Sequence, residues 1–536
     1  MLLYAILFVT GGAVLALELL ASRIMTPYFG VSLYIWTGIL SITLVALAAG
    51  YWAGGRLAAG RADRAPRRER LAQLYALMPA IAALGIVAAC LVYPHLFATL
   101  ASADLVAGSF AACLVLLFVP LVAASAMNPL LVAIELARGE PRTGDAGAGR
   151  VFGVSTIGSV AGVLATAFML IPYTSNFSAA LIVALVLALA SLAAVSWSPV
   201  PLHARRPLGI VAGAATLFAA VLLWQADAYV GRMWPAQHAG SSWRIETSFR
   251  SLFGTVKILR SEPDPATGRF ARIYFQDGLV QNTVESDGRS LSYYTHALEA
   301  LALAYRPRMK SALVLGLGAG IVPMRLAGRG VAVEAVEIDP ASLAAATRVF
   351  GYQPARARVH LTDARTFLRD CPRRYDVVVV DLFHGDGTPD YLVTRDFFRD
   401  LKGCLAPGGV AVFNTFADLE RPESYAHLLM TLRAELPHIV LYRPPWADAV
   451  QVNSFLVAAA APLGVPESVH LDNVPARHER VLTEMLERPQ PLTRELLEDG
   501  RIVTDAGSAA AYAIARAQLV YRKGIVEAVP KAFLVN

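Results

Sequence analysis

Cysteine is scarce in this chain of 536 residues. Of the four, Cys90 and Cys113 fall in apolar stretches and Cys371 and Cys404 beyond them, with no disulfide or zinc spacing, so they set no redox compartment and no metal site is expected. Charged residues are also few, 16% against a hydrophobic fraction of 56%, and the mean hydropathy of +0.50 is too apolar for a purely soluble protein. The sequence lacks the phosphate-binding "GxGxxG" and any "GKS" or "GKT", which disfavours pyrophosphate cofactors and ATP. The first apolar stretch lacks the charged start and small-residue cleavage site of a secretory signal, so it reads as a retained helix.

What is abundant is long apolar sequence. In the first 225 positions, stretches long enough to cross a hydrocarbon core of ~30 Å recur between short polar breaks. Seven spans are expected, at about 3–22, 34–55, 71–93, 107–134, 151–173, 177–197 and 207–225, giving a helical domain over 1–228 embedded in a lipid bilayer. The fourth is overlong and carries Pro120 and Pro129, which predicts a kink or a break. The net charge of +6 owes much to "GRLAAGRADRAPRRER" (55–70), a topology signal rather than a nucleic-acid patch because it lies between two spans. Arginine-bearing loops at 56–70, 138–150 and 203–206 share one side of a seven-span arrangement, with the N-terminus inside and everything after Trp224 outside. A cytoplasmic C-terminal domain needs an even number of crossings, through a fourth segment that crosses twice or a re-entrant stretch. Glu18 and Arg23, in the first span, are read as a structural pair or as part of a transport path.

After about residue 230 the pattern changes. "SLFGTVKILR" and "RFARIYFQDGLVQ", separated by the turn "SEPDPATG", predict strands of a small β-subdomain over 229–290. Over 291–536, a helix after a capping Ser290 leads into "SALVLGLGAG", "VAVEAVEID", "RVHLTDA", "YDVVVVD" and "VAVFNTF", apolar runs alternating with helical patterns. That order predicts a parallel sheet covered on both faces, a doubly wound, Rossmann-like α/β domain.

Such sheets bind ligands beyond the carboxyl ends of their strands. There lie the glycine loop (Gly316, Gly318, Gly320), the paired acids Glu337 and Asp339 at the distance where an acid accepts hydrogen bonds from a ribose diol, and Asp363 with Ala364, placed to receive an adenine amino group. The set suits an adenosine carrying a sulfonium. Asp381 ends the fourth strand, followed by His384 and Asp386 on a glycine-rich loop. Tyr293, Tyr294 and His296 lie on a helix beside this cleft, with Tyr293 and His296 on one face.

In this order "YFQDGLVQ", "YYTH", "LGLGAG", "VEID", "TDA" and "VVVVD" resemble the polyamine aminopropyltransferases, the spermidine and spermine synthases. "ALELLASRIMTPYFGVSLYIWTGILSITLVALAAGYWAGGRLA" resembles the opening helices of bacterial proteins that fuse a multi-span domain to a spermidine-synthase-like one. The resemblance implies a multi-pass protein of the bacterial inner membrane with a class I methyltransferase-type sheet. It implies transfer of an aminopropyl group from decarboxylated S-adenosylmethionine to an amine such as putrescine, no metal, and possible homodimers. By position, Asp381 is the base or the acid that aligns the amine, Tyr294 and His296 help hold the amine, Asp277 and Gln281 line the cleft, Glu337 holds the ribose, and Asp363 with Ala364 the adenine. Two positions depart from the family. An acid of the glycine loop is replaced by Ala319, and a second Asp three residues after the base by His384, so Asp386 is a substitute acid and His384 a second base or a solvated side chain. The alternatives are an S-adenosylmethionine-dependent methyl- or alkyltransferase and a non-catalytic polyamine sensor or transport partner.

Overall fold

The computed structural model of the chain describes residues 1–31, 33–59, 64–137, 145–197, 200–383, 388–418, 423–444, 451–507, 519 and 521–535. Two compact units emerge, Met1–Ala236 with Val526–Asn536, and Gln237–Ile525. The last residues, expected with the sheet domain, thus belong to the helical unit.

The helical unit contains seven helices long and apolar enough to cross a membrane. They run longer than the apolar stretches alone suggested, because polar flanking residues extend the same hydrogen-bonded ladders: α1 (Leu2–Phe29), α2 (Leu33–Ala58) and α3 (Arg64–Ala103) are followed by a 33-residue segment, Leu105–Ala137. That fourth segment neither breaks nor doubles back. Its α4 (Leu105–Cys113) and α5 (Val119–Ala137) are joined through one π-turn, Leu114–Phe118, whose extra residue absorbs the missing N–H and the bulk of the following Pro120. A second π-turn, Thr166–Leu170, ends α6 (Asp145–Ala165) just before Pro172; α7 (Asn176–Trp197) and α8 (Leu202–Trp224) complete the set, and the short α9 (Ala226–Gly231) follows. Helices α1 and α6 meet through small residues. A Cβ on Gly158 would lie 2.1 Å from the Phe8 carbonyl oxygen and one on Gly162 would lie 2.2 Å from that of Gly12, while Ser159 Oγ donates to the Gly11 carbonyl at 2.8 Å. Close backbone approach of this kind supplies packing between apolar helices.

The second unit opens with a five-stranded antiparallel sheet, β1 (Ala236–His238), β2 (Ser241–Ser251), β3 (Gly254–Ser261), β4 (Ala271–Gln276) and β5 (Leu279–Glu285). The expected turn joins β3 and β4, pinned by Asp264 Oδ1, which accepts the N–H groups of Ala266 and Thr267. "SLFGTVKILR", read as one strand, folds at Leu252 and Phe253 into a hairpin, since φ +154 at Gly254 is open to glycine. Helix α10 (Tyr293–Tyr305) starts two residues later than a Ser290 cap implies: Ser290 Oγ instead accepts the Ser292 N–H at 3.2 Å.

Then comes a seven-stranded sheet in the order β11-β12-β10-β9-β6-β7-β8, where β6 is Ser311–Leu315, β7 Ala332–Glu337, β8 Ala357–Leu361, β9 Tyr375–Val380, β10 Leu405–Asp418, β11 His438–Tyr442 and β12 Gln451–Ala459. Strands β8, β7, β6, β9 and β10 are parallel, and β12 runs antiparallel to β10 and β11. The Val377–Val380 run is buried on both faces. Val377 and Val379 pack into the layer containing α10, α11 (Ile321–Gly328) and α12 (Pro340–Val349), whereas Val378 and Val380 pack into that of α13 (Ala364–Arg369), α14 (Arg395–Cys404) and α15 (Glu423–Glu435). The region after 465, in which the sequence offered no motif, supplies α16 (Ala476–Glu487), whose Leu482 and Met485 join the first layer.

One expectation about cysteine is overturned. Cys371 and Cys404 form a disulfide with their Cα atoms 5.9 Å apart, tying the loop after α13 to the end of α14. Spacing in sequence carried no sign of it, because the two thiols are brought together by the helix layer on one side of the sheet.

Candidate active site

The chain leaves β6 for β7 and β8 on one side and returns through β9 on the other, so the strand order reverses between β6 and β9. There the two carboxyl ends touch. The Asp381 N–H donates to the Leu315 carbonyl at 2.9 Å, and a Cβ on Gly316, at φ +91, would stand 2.1 Å from the Asp381 carbonyl oxygen. Only glycine fits at this position, and it lets Asp381 project from the crevice where such sheets bind ligands.

A cavity of about 310 Å³ fills that crevice. Its floor is the glycine loop, with Gly316, Leu317 and Gly318 in the lining. Glu337 braces this loop by accepting the Leu317 N–H at 3.1 Å and the Asp339 N–H at 2.8 Å. Desolvation pushes its carboxyl up to about 7, with these two bonds opposing the shift. Asp339 also lines the cavity but is largely occupied: it caps α12 through the Ala341 N–H at 2.8 Å and accepts from Gln276 Nε2 at 3.3 Å. Asp363 caps α13 through the Thr366 N–H at 2.9 Å, beside Ala364 and Tyr391 in the wall.

Asp381 stands where this cavity meets a second one of about 120 Å³; Gln281, Tyr294 and Phe383 also line both. Burial raises the Asp381 carboxyl to about 6, and the bond donated by Asn414 Nδ2, at 2.9 Å, partly opposes the rise. Burial raises the Tyr294 hydroxyl too, with the Asp381 charge adding to the effect, so the phenol stays protonated beside the acid. A carboxylate poised near neutrality at a cavity junction can accept a proton from a ligand in either chamber.

The fold therefore gathers Asp381, Tyr294, Gln281, Gly316, Gly318, Glu337, Asp339, Asp363 and Ala364 at the two cavities. Gly320 lies just below, at φ +76, where a Cβ would strike Tyr352. Two expected residues face elsewhere. Asp277 is buried at the β4–β5 turn at φ +50, its carbonyl accepting from Arg522 at 3.0 Å. His296 is buried under α16, its Nε2 2.9 Å from the Ser290 carbonyl and its ring 5.9 Å from that of His478; Tyr293 points the same way, to Met485. His384 and Asp386 lie outside the described residues. Ala319, the residue in place of an acid, is 3% exposed in an apolar cluster with Val256, Ile258 and Tyr274 and does not line either cavity. Asn414 and Asn453 were not anticipated. Asn414 follows the apolar run Val410–Phe413, one residue past the Phe413–Val380 pair and level with Asp381, a signal visible only once the strand register is known.

Residues 291–443, under a third of the chain, match the spermine/spermidine synthase domain, so the sheet unit carries such a domain. Among characterised proteins, the polyamine aminopropyltransferase of Vibrio vulnificus is 33% identical over 160 residues, 28% of this chain and 52% of that protein. The N-terminal histidine N-methyltransferase of Emericella nidulans is 33% identical over 145 residues, 26% of each chain. The chain thus spans about half the length of the first relative and a quarter of the second. A probable spermidine synthase from Corynebacterium glutamicum overlays with a TM-score of 0.40 at 17% identity, covering 50% of this chain and 98% of that one.

Proposed function

We propose that the sheet unit is an aminopropyltransferase, taking its donor, decarboxylated S-adenosylmethionine, into the larger cavity and an amine into the smaller. The observation that carries this reading is the charge of the larger cavity. Its described lining holds four carboxylates, Glu337, Asp339, Asp363 and Asp381, and no Lys, Arg or His. A sulfonium nucleoside is attracted to such a site, whereas the carboxylate of intact S-adenosylmethionine would meet only like charge. Glu337 is placed to accept hydrogen bonds from the ribose and Asp363 from the adenine amino group. With Ala319 packed away from the cavity, the aminopropyl ammonium has Asp381 and the other wall acids for company.

An ammonium in the smaller chamber gives a proton to Asp381. The freed nitrogen lone pair then forms the N–C bond as the C–S bond breaks, its electrons returning to sulfur to leave neutral methylthioadenosine, and the Asp381 proton passes to solvent. Tyr294, held protonated, orients the amine. The test is methylthioadenosine release by the detergent-purified protein. Release with the decarboxylated donor, reduced by ~10²–10⁴-fold in Asp381→Asn, is expected; methylation of the amine from the intact donor would assign the site to the methyltransferases instead.

Two observations favour a second reading, a polyamine sensor or transport partner. Seven spans with their arginine-bearing loops inside put the residues after Trp224 outside, and a Cys371–Cys404 disulfide is a bond that persists in oxidising compartments. Sulfonium nucleosides are made in the cytoplasm. Full-length fusions to alkaline phosphatase and to a fluorescent protein decide the side: fluorescence supports the transferase reading, and phosphatase activity the sensor.

A further inference from the structure

The smaller chamber limits what the acceptor can be. Besides Asp381, its polar lining is the amides of Gln281, Asn414 and Asn453 and the hydroxyls of Ser292, Tyr294 and Tyr521, so that Asp381 is the only carboxylate among the described lining residues. Asn453 Nδ2 donates to Asn414 Oδ1 at 2.9 Å, and Asn414 Nδ2 donates to Asp381 at 2.9 Å. The relay runs diagonally across β12 and β10, since Asn414 pairs with Phe455 and Phe416 with Asn453. Asn453 thus holds the Asn414 amide with its donor on the one acid, which orients the Asp381 carboxylate and favours its charged form. The remaining wall is aromatic: Phe416 packs against Phe383 with ring centroids 5.0 Å apart and against Tyr521 at 4.8 Å.

Resting on the transferase reading, we propose that the acceptor is an amine carrying a single positive charge and a short apolar body, selected over a diamine by the Asn453–Asn414–Asp381 relay and the Phe383–Phe416–Tyr521 wall. A diamine brings two ammonium groups. The reacting one is matched by Asp381, which takes its proton, and among the described lining residues the distal one finds amide and hydroxyl dipoles where it needs a carboxylate. A buried ion without a counter-charge is strongly disfavoured. A monoamine loses its only charge to Asp381 and lays its carbon chain against the rings. Asn414 and Asn453 are positioning residues, because they act on the reaction through Asp381.

The experiment compares n-butylamine with 1,4-diaminobutane, equal in carbon chain and different in one ammonium. Two readouts are taken on the full-length protein: calorimetric binding of each amine to the methylthioadenosine-loaded protein, and methylthioadenosine release from the decarboxylated donor. The butylamine preference expected is at least about tenfold in both, one unmatched buried charge being worth that much or more. Asn453→Asp, which adds the missing carboxylate, should move the preference toward the diamine. Equal or tighter binding of 1,4-diaminobutane by the unaltered protein overturns the proposal, even if Asn453→Asp fails to fold. Tighter butylamine binding with no amine-dependent release upholds the chamber's preference and removes the transferase reading.

Discussion

In the proposed reaction Asp381 sets the pH dependence of the site. Its carboxyl, raised by burial to about 6, must be ionised to take a proton, so activity should rise with pH and be half-maximal near that value. Removing a hydrogen bond that favours the charged form raises the pKa further, so Asn414→Ala should move the acidic limb to higher pH, with kcat lower at pH 6 than at pH 8 relative to the unaltered protein. Measuring both profiles with one amine separates this shift from the amine's own titration; superimposable profiles would contradict the role given to Asp381. Several residues of the site were legible in sequence because strand ends can be read locally. Asp381 follows an unbroken Val run, Glu337 ends β7 and Asp363 lies two residues beyond β8. Asp277 and His296 were misplaced because their surroundings come from distant chain, Arg522 and His478. Asn453 was invisible for the same reason, as its partner Asn414 is 39 residues away.

At the scale of elements, apolar runs fixed the existence of helices and strands, and local stereochemistry decided where each began. Asp339 and Thr394 cap α12 and α14 as their sequences suggest, while the start of α10 depends on hydroxyl bonds among Ser290, Ser292 and Thr295 that no propensity reveals. Proline in the fourth apolar segment predicted a kink or a break, and the ladder instead continues through the π-turn before Pro120. The α1–α6 contact gives a direct test of helix packing. Gly158→Leu would drive a side chain into the Phe8 backbone, and should lower the stability of the helical unit by about 2 kcal/mol or more, read as an earlier thermal transition in detergent. Gly153→Leu, where a Cβ meets nothing within 4 Å, should leave the transition in place. Equal effects of the two would contradict the close-packed contact.

For the whole molecule, composition foretold two regimes, an apolar helical unit and a charged α/β unit, and both are present as compact bodies. What composition could not foretell depends on topology: the return of Val526–Asn536 to the helical unit, the antiparallel β12 that brings Asn453 to the site, and the disulfide that joins α14 to the loop after α13. The acidic character of the larger cavity is likewise a property of the folded unit, since its four carboxylates come from the carboxyl ends of three strands, Glu337 and Asp339 at β7, Asp363 after β8 and Asp381 after β9. In the proposed reaction that charge selects the donor. Calorimetric titration of the full-length, detergent-purified protein with decarboxylated and intact S-adenosylmethionine tests it most directly. Tighter binding of the decarboxylated nucleoside by at least about tenfold is predicted, the cost of one unmatched carboxylate among like charges; equal or tighter binding of the intact nucleoside would contradict it.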